Sequence, residues 1–163
     1  MILCPLQNTA FFDIRWLQAR PVVTQHFGLH PLKYAQYGMK GHNGTDYRAP
    51  VGTPVFAPIE GKAEVLNFGR SGLGLHIQIK NDRLMVILAH LSEVLIKTGD
   101  TLKLGDKIGL TGNTGDSTGP HLHMSLYQMA NNKIKNSNNG FGGAFDSFAN
   151  TINWKGAGET FTL

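Results

Sequence analysis

The sequence predicts an all-β fold, and three observations carry that reading. Short runs rich in Val, Ile, Leu and Phe recur between Gly- and Pro-containing turns. The 163 residues include 20 glycines and 7 prolines, with 41% hydrophobic and only 16% charged side chains, a turn-rich globular composition. No segment of useful length repeats its apolar positions with a 3.6-residue period, so helices should be few and short.

The elements follow in order. Residues 1–36 read as an ordered lead-in packed on the domain, with Phe11, Phe12 and Trp16 available as anchors. From Gly41 onward, "TPVFAPI", "KAEVLNF", "LHIQIK", "RLMVILAHL", "DKIGLTG" and "HLHMSLYQM" read as strands. Between them "APVG", "GRSGLG", "KNDR" and "KTGD" read as turns. A loose internal echo joins "VGTPVFAPIEGKAEV" to "TGDTLKLGDKIGLTG", two segments that share a Gly–apolar–spacer–Gly layout. After Tyr127 the chain turns polar and glycine-rich. "NNKIKNSNNGFGGAF" reads as a loop or tail, with "AFDSF" tucked back. The expected organisation is a single domain: lead-in 1–36, core 37–128 and a Gly/Asn-rich segment 129–163.

Composition also excludes several classes. No apolar run approaches the length needed to span a bilayer, so no membrane insertion is expected. The net charge of +4 is compatible with an anionic partner, but no Lys/Arg cluster longer than two occurs, and nucleic-acid binding is not expected. The single cysteine, Cys4, rules out an intrachain disulfide and paired-cysteine zinc motifs, and reads as a free surface thiol. Asp13 and Arg15 interrupt the N-terminal stretch where a secretory leader needs an unbroken apolar core, so no such leader is read.

The chemistry lies in the histidines. "TGPHLHMS" sets His121 and His123 one residue apart, and on a strand both point to one face. They can share a metal, a proton or merely a sheet. "GHNGTDY" pairs His42 with Asp46. Asn43-Gly44-Thr45 is poor helix sequence, so a loop entering a strand is the expected geometry, with both side chains folding toward one point. An imidazole nitrogen and a carboxylate oxygen are a combination that zinc accepts, and His123 would complete a three-ligand set with the fourth position left for water. His90, in the apolar run "ILAHLSE", reads alone as a hydrogen-bonded core residue. His26, His30 and His76 read as loop or packing residues. Gly112, Gly115 and Gly119 either bring backbone close to a substrate or simply make tight turns.

Four blocks then stand in a fixed order: "GHNGTDY", "AHLS", "GDTLKLGDKIG" and "TGDSTGPHLH". Together with "FG" at 27–28 they span roughly residues 22–128 and resemble the lysostaphin-type (LytM-like) zinc endopeptidases of bacterial cell walls. The resemblance implies a compact antiparallel β-sheet domain, with one zinc ion in a groove walled by loops. It implies His42, Asp46 and His123 as metal ligands, with His90 and His121 as catalytic histidines that touch water and the developing oxyanion. The implied reaction is hydrolysis of peptide bonds in peptidoglycan cross-links or stem peptides. The enzyme is expected to act outside the cytoplasm as a monomer, delivered as a phage endolysin or virion-associated lysin or as the catalytic part of a secreted enzyme. Leu88 stands where a tyrosine is usual before "AHL", Met124-Ser125 replace the frequent Phe-Glu, and Leu29-His30 occupy a region often holding an arginine. These departures bear on substrate preference. The competing classes are a non-catalytic wall-binding or virion-structural module, for which a broken ligand set would be expected, and a lipoyl-type carrier suggested by "GDTLKLGDKIG". The carrier would need a modifiable lysine with flanking residues that the Lys103–Gly105 turn lacks.

Overall fold

A computed structural model of the chain describes residues 22–146. Cys4, Phe11, Phe12, Trp16 and the Ser147-Phe148 end of "AFDSF" lie outside them. The first strand, Val23–Gln25 (β1), leads into a one-turn helix, Pro31–Tyr34 (α1), and a 3₁₀ turn, Ala35–Tyr37. There follow Thr45–Arg48 (β2), Pro54–Phe56 (β3), Gly61–Asn67 (β4), Leu75–Lys80 (β5), Leu84–Ala89 (β6) and Leu91–Val94 (β7). Thr101–Leu102 (β8), Lys107–Thr111 (β9), His121–Ala130 (β10), Lys133–Ile134 (β11) and Ala144–Phe145 (β12) complete the series. All pairings among the described strands are antiparallel, and the predicted all-β class with few short helices is what the chain adopts.

The strands form two sheets. The larger runs β1-β2-β10-β6-β5-β4-β8, with β11 and β12 also paired to β10, and the smaller runs β3-β9-β7. Strand alternation gives the large sheet two unlike faces. One face carries Tyr47, Leu122, Met124, Leu126, Leu88, Val86, Ile77 and Ile79, which pack against Val55, Leu91 and Ile108 of the small sheet to make the main core. The other face carries Asp46, His121, His123, Ser125, Tyr127, Ala89 and Ile87, since His123 pairs with both Asp46 and Ala89, and Ser125 with Ile87.

The echo between the two glycine-spaced segments has a structural counterpart. Each segment gives one strand to each sheet: β3 pairs with β9 in the small sheet and β4 with β8 in the large one. The segments are therefore interlocked arches that hold the sheets together, with the Gly105 amide donating to the Ala57 carbonyl and the Ala57 amide to the Asp106 carbonyl at the crossing.

Two expectations are corrected. "RLMVILAHL" is not one strand: His90 breaks it with φ 64°, turning the chain from β6 in the large sheet to β7 in the small one. The run after Tyr127 is not simply a loop or tail. β10 continues to Ala130, and Asn131-Asn132, both at positive φ, turn it into a hairpin with β11. Adjacent asparagines with φ > 0 suit the type of turn that closes a two-residue hairpin. Ala144–Phe145 then folds back on Leu126–Tyr127, as the tucked-back reading anticipated. Met85, Ile87, Ala89, Tyr127, Met129 and Ala144 make a second apolar cluster with Phe27 and Phe141, whose rings lie 4.5 Å apart. The C-terminal segment thus covers part of the second face, and the histidines lie toward the start of β10.

Candidate metal centre

β2 and β6 flank β10, so the register brings residues distant in sequence to one point. His123 on β10 lies opposite Asp46 on β2, and His42 reaches the same point from the loop entering β2. All three are buried: His42 is 1% exposed, His123 3% and Asp46 8%. Asp46 Oδ1 lies 2.9 Å from His123 Nδ1 and 3.1 Å from His42 Nε2, and the two ring nitrogens are 3.0 Å apart. A tetrahedral zinc with bonds of about 2.0–2.1 Å holds its ligand atoms about 3.3–3.4 Å apart, so this triangle is close to one face of such a site. Gly44 makes the approach possible, because a Cβ there would lie 2.6 Å from Cε1 of His123 and 2.5 Å from the Met124 carbonyl.

The far side of each ring is tied down. His42 Nδ1 lies 3.1 Å from the His26 carbonyl, and the tautomer that donates there turns the Nε2 lone pair toward the cluster. His123 Nε2 lies 2.6 Å from Ser125 Oγ. Ser125 is two residues along β10 on the same face and hydrogen-bonds the Tyr127 hydroxyl, which Asn43 also approaches at 3.5 Å. When His123 donates from Nε2 to Ser125, its Nδ1 is freed as a ligand. Partners of this kind fix the tautomer and orientation of ligating histidines. Burial works to raise the Asp46 pKa, but in the tautomers that donate to it His123 and His42 outweigh burial and hold the carboxyl well below the ordinary carboxylate range. Burial, above all, keeps His123 neutral by lowering its pKa. A carboxylate oxygen and two imidazole nitrogens are a donor set suited to a divalent cation, and these three residues form a group able to hold a metal ion.

His121 and His123 share a face but diverge. The His121 Nδ1–H donates to the Gly119 carbonyl at 2.8 Å, with Ser117 Oγ at 3.2 Å, and its Nε2 stands 3.7 Å from the other carboxylate oxygen of Asp46. Its side chain is 16% exposed. His90 approaches from β6: its ring centroid is 4.7 Å from that of His121 and 5.9 Å from that of His123. The Thr114 carbonyl accepts from its Nδ1–H at 2.7 Å, leaving Nε2 as a free acceptor. Burial, and then the neighbouring His123, push the His90 pKa down to about 4. All five residues singled out in the sequence therefore meet at one end of β10.

The remaining histidines lie elsewhere. His26 and His30 are exposed, although the His26 carbonyl serves His42. His76 is fully buried beside Phe68, bonded through Nδ1 to the Gly74 carbonyl. Gly112 and Gly115 allow close packing within the chain, against Ser92 and the Gly72–Gly74 turn, whereas nothing crowds Gly119. Sequence reasoning missed Ser125 as the partner of His123. The signal was its place two residues on in the same strand.

Comparison with known proteins identifies the family. The model of peptidase family M23 matches residues 40–137. The peptidoglycan DD-endopeptidase ShyA of Vibrio cholerae is 42% identical over 99 residues, covering 60% of this chain and 22% of that protein. The chain spans about a fifth of the length of the first curated relatives it matches. Among solved structures, a zinc-containing peptidase from Vibrio cholerae shares 32% identity with TM-score 0.56, covering 70% of this chain and 35% of that one. The catalytic domain of lysostaphin from Staphylococcus simulans shares 32% identity with TM-score 0.64, over 84% of this chain and 96% of that domain. Matched by the family model through the whole histidine cluster and by the lysostaphin domain over nearly its full length, the chain belongs to peptidase family M23.

Proposed function

We propose that this chain is a zinc metallo-endopeptidase that hydrolyses peptide bonds in peptidoglycan cross-links or stem peptides, acting outside the cytoplasm. The observation that carries the reading is the convergence of three buried donor atoms, from His42, Asp46 and His123, within 2.9–3.1 Å of one another. The relatives, a peptidoglycan endopeptidase and lysostaphin among them, support the substrate class, and the zinc-containing neighbour supports the choice of metal. His42, Asp46 and His123 would hold one zinc ion, which supplies a Lewis acid for the scissile carbonyl and acidifies water.

The chain's own part is to orient groups and move a proton. His90 and His121 are each pinned through Nδ1 to a backbone carbonyl, so each presents Nε2 to the cleft. One of them accepts the proton of the attacking water and returns it to the departing amine, while the other, when it carries a proton on Nε2, donates toward the carbonyl oxygen as it gains charge. General acid–base help of this kind is worth about 10²–10⁴-fold. His90, neutral at physiological pH, is able to accept a proton without first losing one.

The test is incubation of the zinc-loaded protein with purified peptidoglycan, followed by mass spectrometry of the soluble fragments, with His123→Ala as control. New amino termini without new sugar ends, lost in the variant, are the expected result, and the fragment masses name the bond. Zinc binding without release from several wall chemotypes would leave a wall-binding module as the reading.

A further inference from the structure

Resting on that reading, we infer that Tyr37 and Asp116 form a clasp across the mouth of the cleft that determines which peptides reach the metal cluster. The strand order supplies the first part of the argument. The loop bearing α1 and the 3₁₀ turn enters β2 on one side of β10, and there the Tyr34 ring lies 5.3 Å from that of His42. On the other side, β6 ends at His90, whose ring is held by the Thr114 carbonyl of the loop that precedes β10. The two loops therefore rise on opposite flanks of the His121–His123 end of β10. The Tyr37 hydroxyl joins them, donating to Asp116 Oδ2 at 2.7 Å between residues 79 apart in sequence.

Each wall is anchored without this bond. Gln25 donates to the Tyr34 hydroxyl at 2.8 Å on one side. On the other, the Asp116 and Gly115 amides donate to the carbonyls of Gly72 and Gly69. Both Tyr37 and Asp116 are exposed, and no apolar packing requires them to meet. What the bond adds is a tie between two fixed walls. Donation to Asp116 raises the Tyr37 pKa, and the same contact lowers that of Asp116, so the hydroxyl stays protonated and the carboxylate ionised around neutrality. A slim, unbranched peptide passes the closed mouth, whereas a cross-linked or branched strand enters only when the clasp opens.

Three readouts test this on the zinc-loaded chain with Tyr37→Phe, Asp116→Ala, Asp116→Asn and the double variant Y37F/D116A. They are amide hydrogen exchange over residues 33–40 and 113–117, the rate at which 1,10-phenanthroline strips the zinc, and the ratio of cleavage of intact peptidoglycan to that of a short unbranched peptide containing the same bond. Loss of one exposed hydrogen bond should raise exchange, stripping and the ratio roughly two- to tenfold. Y37F and D116A should match each other, and the double variant should add nothing, because both remove one interaction. D116N, which keeps an acceptor oxygen, should fall between them and the parent. Unchanged exchange and stripping in Y37F and D116A, or additive effects in the double variant, overturn the clasp while leaving the hydrolase reading intact. Faster exchange and stripping in a chain that cleaves neither substrate would sustain the clasp as a gate on the metal and overturn the hydrolase reading instead.

Discussion

Along β10, Leu122, Met124 and Leu126 alternate with His121, His123, Ser125 and Tyr127, so one strand presents two regions of opposite character. Burial hardly separates them: Leu122 is 0% exposed and His123 3%. On the core face, contact is non-directional, and any side chain of the right volume in an allowed rotamer serves. On the other face every nitrogen and oxygen needs an aimed partner, and the partners come from β2, from the loop before it and from the strand itself. The difference teaches that a site is distinguished from a core by convergence. Three donor atoms crowd to about 3 Å, an arrangement that requires a shared proton or a cation among them.

Breaking each face separately gives the largest expected contrast. His123→Ala should abolish zinc binding and lower peptidoglycan cleavage by at least about 10³-fold, with the far-UV circular dichroism unchanged. Leu122→Ala should do the reverse, keeping the ligands while lowering unfolding free energy in urea by about 2–5 kcal/mol, the usual range for a buried leucine.

The titration of His90 sharpens the comparison next, because no residue on the core face of β10 titrates. Its pKa of about 4 in the folded chain compares with about 6.5 in an unfolded one. Between those values the unfolded chain binds a proton that the folded chain does not. The metal-free protein should therefore lose stability as pH falls from about 6.5 to 4, by up to about 3 kcal/mol from this group. His90→Asn should flatten that slope, read from urea unfolding at several pH values. Asparagine tolerates the left-handed conformation that His90 holds at φ 64°, so the corner survives the substitution. The slope should not vanish, since His123 is also held neutral by burial.

Smaller effects are expected at Ser125 and behind it. Ser125→Ala removes the group that orients His123, and zinc affinity measured against a competing chelator dye should fall about 10–100-fold. Tyr127→Phe, one step further back, should cost less. Equal affinity in S125A would mean that strand geometry alone aims the ring.

Much of this was legible in the sequence for identifiable reasons. Strand period placed His121 and His123 on one face, and glycine-relaxed spacing let His42 and Asp46 converge, both properties of local chain geometry. Turn residues marked most strand ends. What escaped was set by tertiary contacts. The positive φ at His90 arises because the chain must change sheets there, and nothing in "AHLS" read alone signals it. Asn131-Asn132 did carry a hairpin signal, masked by the polar composition around it. The Tyr37–Asp116 bond joins two loops with no common period or motif, so only the sheet order discloses it. Ser125 was visible as a departure from a familiar pattern, yet its role needed the register of β10.

The interlocked arches bear on how the chain comes to be folded. β3 finds its partner β9, and β4 its partner β8, only after everything between them has been synthesised, and such non-local pairing makes for slow assembly. Neither sheet can close without a strand from each arch, so formation is concerted rather than piecemeal. In sequence His42 precedes the first arch and His123 follows the second, which means the cluster comes into being with the last closures. A partly folded chain would offer scattered histidines to metal but no cleft, and hydrolytic competence would arrive as a single late event.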